Sequence, residues 1–548
     1  MPFNYSKDNL TGFQKKLQRF FEIVPGFLSW SVLLGVLALS FINSIAASIF
    51  AIAFLLYWLM RISYLMIFLV FSYFRLNIEN GTDWMKRVRG IDSLDSYISE
   101  LKESNKKVSL SEKFSTLIHK RELEILKKSA SSSPHSNEIY HVVIIPVAKE
   151  SEEIIRPGVE ALSKQTFLAK QILVAFAVEE RAPDDTKKAI EKMKQEYKDT
   201  FFDFLFVIHP AGLPGEARVK AANASYTGEK VSKYLEEKQI PFENVTVSCF
   251  DADTVVHDKY FACLTYYFMV NPDRTRASYQ PIPVYHNNIW QVPSFSRVME
   301  TGSSFFQLIE STNTEKLVTF SSHSMSFKAL KEVGYWPRSM ISDDSAIFWK
   351  AYLYYGGNYR VIPMYVTLSM DANSAATVRQ TAINIYKQRR RWAYGAENFP
   401  IVMRGFLATR KISLYNKIRH AFKLLEDNIS WATWGFLITT LSWLPAVLSN
   451  RQFRHTIIYY TEPRIAGTIF RLSTISLLIS IILSIALLPK KKIRHSILRK
   501  IKHAVEWLSI PVILLLLNTL PALDAQTRLM FGKYMEFWVT DKARKHSS

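Results

Sequence analysis

Cysteine is almost absent: the 548-residue chain has two, Cys249 and Cys263. That excludes a disulfide framework, and their spacing is not one that metal-binding cysteines use. Reducing, cytosolic surroundings are the matching expectation. No Gly-rich Walker-type loop occurs, which removes the P-loop nucleotide enzymes. No internal repeat occurs either, which removes solenoids and propellers. Acidic residues are in deficit, 48 Asp and Glu against 69 Lys and Arg, for a formal charge of +21. Such an excess can answer nucleic acid, but no recognition module accompanies it. Membrane flanks, anionic lipid and an anionic small substrate account for the same charge.

What the chain has in quantity is apolar residues, 48% of the total, concentrated at its two ends. A polar start with Lys7, Lys15, Lys16 and Arg19 precedes apolar stretches at about 27–45 and 47–74, the second broken only by Arg61. Each reaches the roughly 20 apolar residues that a crossing takes, and together they are too long for a cleaved signal peptide. Bases lie before the first and after the second, while the linker near Asn43 is uncharged. The positive-inside rule therefore puts the N-terminus and the central region in the cytosol, and Arg61 reads as a snorkelling residue. Apolar stretches recur at 431–448, 470–488 and 505–523. Between the last two lie Lys490, Lys491, Lys492, Arg494, Arg499, Lys500 and Lys502, a cytosolic loop by the same rule. The last stretch carries Pro511 and Pro521, and both crossing and re-entry fit it.

The resulting organisation is a tail with two transmembrane helices over 1–76 and a charged helical linker over 77–135. A soluble domain follows over 136–400, then interfacial amphipathic helices over 401–430, a C-terminal transmembrane region over 431–523 and a basic tail over 524–548. In the soluble domain, 141–146, 171–178, 204–208 and 245–250 read as strands, with a helix at about 154–164 after the first. Apolar strands alternating with helical patterns predict an α/β domain whose mostly parallel sheet has helices on both faces. Cys249 in the fourth strand reads as a small core residue.

Three polar clusters stand out against this frame. Asp251-Ala252-Asp253 follows the fourth strand, where open α/β sheets place their ligand crevice; two carboxylates there suit a divalent cation and the phosphates it bridges. The bland reading is a helix cap at Asp253 or Thr254 for a helix over 257–269. Ser342-Asp343-Asp344 is a second carboxylate pair, also able to cap a helix over 345–355. In Gln388-Arg389-Arg390-Arg391-Trp392, Arg391 offers bidentate bonds to a diphosphate and Trp392 a flat face for a sugar ring. Arg389 and Arg390 read as the basic face of a membrane-skimming helix. His323, upstream of the second cluster, reads as a packed, hydrogen-bonded histidine rather than a metal ligand.

Together these clusters resemble glycosyltransferase family 2 in its membrane-integrated, polysaccharide-synthase-like branch, over about residues 140–400 and more loosely the flanking helices. The resemblance implies a cytosolic GT-A-type domain in a multi-pass protein of the plasma (inner) membrane. It implies a nucleotide-diphospho-sugar donor, most often a UDP-sugar, transferred with inversion to a glycan or lipid acceptor. Asp253 then takes Mg²⁺ or Mn²⁺, Asp251 the donor's ribose or sugar and the same cation, and Asp344 is the base, with Asp343 beside the acceptor. Gln388 and Arg391 meet the diphosphate and Trp392 the acceptor's terminal sugar. Glu150 matches the family's first-strand acid, although Ala148 and Lys149 depart from the pattern before it. Glu179 and Glu180 stand where an Asp is usual after the second strand, and one of them takes the nucleoside. Gly215 to Asn223 resembles the Gly-Lys-x-x-x-Asn loop, with Glu216 in place of Lys, and makes Lys220 and Asn223 donor contacts. Phe537-Trp538-Val539-Thr540-Asp541-Lys542 resembles a cytosolic tail of related synthases and favours re-entry. A non-processive glycolipid-forming enzyme shares these motifs. A catalytically silent scaffold or export subunit draws its support from the departures.

Overall fold

The computed structural model describes residues 3–103, 110–129, 133–441, 443–449, 451–489 and 505–536. The chain divides into two compact units. One comprises residues 1–6, 72–287 and 310–371; the other comprises 7–71, 288–309 and 372–548.

The first unit is built on an eight-stranded sheet. Its strands are β1 (Tyr140–Val147), β2 (Ile172–Glu179), β3 (Asp203–His209), β4 (Val245–Cys249), β5 (Val255–Val256), β6 (Ala277–Val284), β7 (Ser324–Ser326) and β8 (Arg360–Ser369). They run in the order β3-β2-β1-β4-β7-β6-β8-β5. β1 is parallel to β2 and β4, β2 to β3, and β6 to β8. β7 is antiparallel to β4 and β6, and β5 to β8. The expected mostly parallel α/β sheet is therefore present, and the four predicted strands are β1 to β4. Side chains alternate between faces along a strand, yet nearly every residue of β1, β2 and β4 is buried. Both faces are covered. β3, at the sheet edge, is only half-buried.

β6 and β8 carried no strand signal in the sequence, and prolines explain why. Pro281, Pro283 and Pro363 argue against central strands. The β6–β8 ladder absorbs them with a register shift between Gln280 and Ile282. The predicted helix at 257–269 begins later, as Tyr260–Val270. β5 and a turn intervene, so neither Asp253 nor Thr254 caps it. The helix Glu152–Ser163 does approach this loop closely: a Cβ on Gly158 would lie 2.7 Å from the Thr254 carbonyl oxygen.

Among the described residues, four helices are long and apolar enough to cross a membrane: Gly12–Ile42, Ser44–Asn80, Ile457–Leu487 and the helical run Trp507–Met530. The last is continuous through a π-helical turn at Leu515–Thr519, just before Pro521. A widened turn accommodates a residue that cannot donate its backbone bond. The stretch 431–448 is not one of the four. Helix Leu414–Thr440 stops, and a short helix, Leu444–Leu448, restarts with Pro445 in its first turn. Arg61 pairs with Glu426, while its guanidinium lies 4.8 Å from the centre of the Trp434 ring. The basic loop 490–502 and the Phe537–Lys542 string lie outside the described residues. Because one long apolar helix separates them, a cysteine placed in 451–456 and one placed in 490–502 are expected to label from opposite sides of the membrane. Labelling of both from one side refutes that arrangement.

Candidate active site

In the first unit, the carboxyl ends of β1, β2 and β4 lie along one sheet edge. Val147 is level with Val178, and Ile144 with Cys249. Glu179 ends β2, and Glu150, Glu180 and Asp251 follow just beyond this edge. Glu150 Oε2 accepts from the amides of Ala148 at 2.8 Å and Lys149 at 3.0 Å. It thereby folds the loop that departs from the family's sequence pattern. Glu179 pairs with Arg181, and Glu180 Oε2 accepts from the Ala211 amide at 2.9 Å.

The centre of the cluster is Lys220, in the first turn of helix Lys220–Glu237. Its Nζ stands 2.7 Å from Asp251 Oδ1, 3.5 Å from Asp344 Oδ1 and 4.0 Å from Asp343 Oδ2. Burial alone would lower the Lys220 ammonium, but Asp251 and then Asp344 outweigh it and raise the group well above its ordinary value. One cation thus faces three carboxylates. Asn223, one turn along the helix, donates from Nδ2 to the Ala177 carbonyl at 2.6 Å and holds the helix to β2. Asp343 and Asp344 occupy the first turn of helix Asp343–Tyr354, where the helix dipole favours negative charge.

The segment 319–323 was not singled out as a positioning element, and it touches both carboxylate pairs. Thr319 Oγ1 donates to the Asp344 carbonyl at 2.5 Å. Ser321 Oγ donates to Asp251 Oδ2 at 2.5 Å, and Ser322 Oγ accepts from the Asp251 amide at 3.2 Å. Ser322 does this from a left-handed backbone, φ 58°, a conformation that costs about 1–3 kcal/mol and gathers at functional sites. His323 is buried, as its packed reading requires, with Nδ1 3.0 Å from the Phe320 carbonyl oxygen. Burial holds its imidazole below the ordinary value against the pull of Asp344. Short hydroxyl residues around an irregular turn have no periodicity to read, so the bonds of Thr319 and Ser321 to the two carboxylate pairs emerge only in the fold.

Asp253, two residues on from Asp251, is bonded to a different segment of the same unit. It is 2% exposed, and its Oδ2 accepts from the Asp371 amide at 2.8 Å. Asn287 Nδ2 bridges the Asp253 carbonyl at 2.8 Å and Asp371 Oδ1 at 2.9 Å. Asp371, just beyond β8, was not found by sequence reasoning. Among the described residues no group of three or more His, Cys, Asp or Glu is placed to hold a metal by itself. The donor set still fits Mg²⁺ or Mn²⁺, since such ions take one or two carboxylates and complete their shell with substrate phosphate and water.

In the second unit, Thr377 caps helix Val378–Ala393, which carries Gln388, Arg391 and Trp392 along one side at i, i+3 and i+4. Gln388 Oε1 accepts from Asn373 Nδ2 at 2.9 Å. Arg389 is buried and pairs with Glu300 at 3.0 Å, and Arg390 pairs with Asp524 at 2.8 Å. Neither is part of a free basic face, which corrects that expectation. Arg391 and Trp392 are half-buried.

The chain is 25% identical over 331 residues to a poly-β-1,6-N-acetyl-D-glucosamine synthase of Staphylococcus epidermidis, covering 59% of this chain and 68% of that protein. It is 25% identical over 320 residues to the enzyme of the same name from Staphylococcus aureus strain COL, covering 57% and 67%. Among solved structures, it is similar to a Pyrobaculum calidifontis mannosyltransferase in complex with GDP-mannose and Mn²⁺. That match has 14% identity and TM-score 0.36, over 71% of this chain and 99% of that one. It is also similar to S. aureus TarS with UDP-GlcNAc, at 14% identity and TM-score 0.29, over 61% and 92%. The model of the glycosyl transferase family group 2 matches residues 246–520, which is half of the chain and runs from β4 into the last apolar helix, and the protein therefore belongs to that family.

Proposed function

We propose that this protein is an inverting, multi-pass membrane glycosyltransferase of the plasma (inner) membrane with a cytosolic catalytic unit. It moves a sugar from a nucleotide-diphospho-sugar, a UDP-sugar first of all, to a glycan or lipid-linked acceptor, in repeated rounds that build a polysaccharide. The observation that carries this reading is the convergence of Asp251, Asp343 and Asp344 on Lys220, at the sheet edge where ligands of α/β folds bind. The β linkage in the product name of the staphylococcal relatives fits inversion of an α-linked nucleotide sugar.

Asp344 accepts the acceptor hydroxyl's proton as that oxygen attacks C1. The C1–oxygen bond to phosphate breaks, and its electron pair leaves on the nucleoside diphosphate. Lys220, Arg391 and Gln388 hold the diphosphate, while Glu150, Glu179 and Glu180 line the nucleoside side. Asn223 fixes the turn that carries Lys220. Asp253, with Asp251, would hold Mg²⁺ or Mn²⁺, which supplies Lewis-acid stabilisation of the leaving diphosphate. Trp392 and Asp343 serve the acceptor.

The test is to incubate the detergent-purified chain with Mg²⁺ or Mn²⁺ and a panel of nucleotide sugars, starting with UDP-N-acetylglucosamine, and to measure nucleoside diphosphate release. Release with one donor and growth of a sugar polymer is the expected result. Release with a single sugar added per lipid identifies a glycolipid-forming enzyme, and no release with any donor identifies a silent scaffold.

A further inference from the structure

Arg389 lies three residues before Trp392 on one helix, and its guanidinium carbon stands 4.4 Å from the centre of the Trp392 ring. Residues at i and i+3 are neighbours on a helix surface, so the stack itself follows from spacing. The surroundings do not. Arg389 is 6% exposed and Glu300 fully buried. Arg389 Nη2 donates to Glu300 Oε2 at 3.0 Å, to Ser303 Oγ at 2.8 Å and to the Met299 carbonyl at 3.1 Å. All three acceptors belong to helix Ser294–Glu310, and a guanidinium held by three of them cannot turn away from the indole. The same helix supports the start of the motif: Ser296 Oγ donates to the Asn373 carbonyl at 2.7 Å, and Asn373 Nδ2 donates to Gln388.

We propose that Arg389, clamped by Glu300, is a positioning residue that backs one face of Trp392 and thereby presents the opposite face to the terminal sugar of the acceptor. The proposal rests on the reading of Trp392 as the acceptor platform and adds the element that orients it. A buried ion pair is costly to desolvate and is a poor source of stability, whereas a planar cation on an aromatic face is well suited to fixing a ring. Lysine cannot substitute, because an ammonium is a point charge with no planar face.

The experiment compares wild type, Arg389→Lys and Glu300→Gln of the full chain in detergent. It measures acceptor KM, donor KM and the ratio of sugar transfer to donor hydrolysis, with Trp392→Ala as reference. Arg389→Lys is expected to raise acceptor KM by about 5–10-fold and to lower the transfer-to-hydrolysis ratio by a similar factor. Donor KM should stay within about twofold of wild type, and Glu300→Gln should shift the same quantities in the same direction. If Arg389→Lys does not fold, Glu300→Gln, which preserves shape, carries the test. An equal fall in transfer and hydrolysis at unchanged acceptor KM would make the pair purely structural and overturn the proposal. A transferring wild type with an indifferent Arg389→Lys overturns this inference alone, whereas a wild type inactive with every donor overturns the functional reading and this proposal with it.

Discussion

Asp344→Asn is expected to lower sugar transfer by about 10²–10⁴-fold, the range over which a positioned general base contributes. The substitution is nearly isosteric, and its local supports persist. Thr319 bonds the main-chain carbonyl of Asp344, not its side chain, and Asp343 remains in the same helical turn. Lys220 keeps its closest partner, Asp251 at 2.7 Å, and loses only the charge at 3.5 Å. Donor affinity should therefore change little while the chemical step slows. The measurement is single-turnover transfer from a defined donor, together with donor binding by titration. Transfer at near wild-type rate would remove Asp344 from the base position. A large loss of donor affinity would instead make it a binding residue.

Asp253→Asn should be comparably severe for a different reason. Asp253 Oδ2 accepts from the backbone amide of Asp371, and an asparagine oxygen can accept the same bond. What is lost is a hard anionic ligand. Lewis-acid stabilisation of a leaving group is worth several kcal/mol, so turnover should fall by at least about 10²-fold. Excess EDTA should reproduce the loss on the wild-type protein, and added Mn²⁺ or Mg²⁺ should reverse the EDTA effect but not the substitution. Direct titration of Mn²⁺ in the presence of nucleoside diphosphate supplies a readout apart from activity: binding should weaken in Asp253→Asn. Undiminished turnover in excess EDTA would end the metal assignment.

Lys220 and Asp251 show what a motif reading leaves out. Both were named from the sequence, one from a loop resemblance and one from a DxD after an apolar strand. Their 2.7 Å contact was not foreseeable, because it depends on helix Lys220–Glu237 packing beside β1 and β2. Asp371 and Asn287 were missed for a related reason. Each is a short polar residue just past a strand that prolines had disguised, so nothing local distinguished them from turn residues. Arg389 was misread because a run of three arginines resembles a solvated face, and its partner Glu300 lies in a different helix.

The sequence by itself determined the elements whose information is local. These are the apolar runs of β1, β2 and β4, the long apolar helices at both ends, and the residue types able to bind diphosphate, proton and sugar. Such features follow from periodicity, run length and side-chain chemistry within a few residues. Tertiary structure alone decided the pairings. It inserted the three-residue β7 antiparallel between β4 and β6, bringing the 319–323 turn against Asp251, and it set one half-buried lysine among three carboxylates. It also turned Asp253 toward Asp371 and buried Arg389 against Glu300. The physical reason is that charge compensation and hydrogen bonding of buried groups act through space, so they are settled only when segments distant in the chain are packed together.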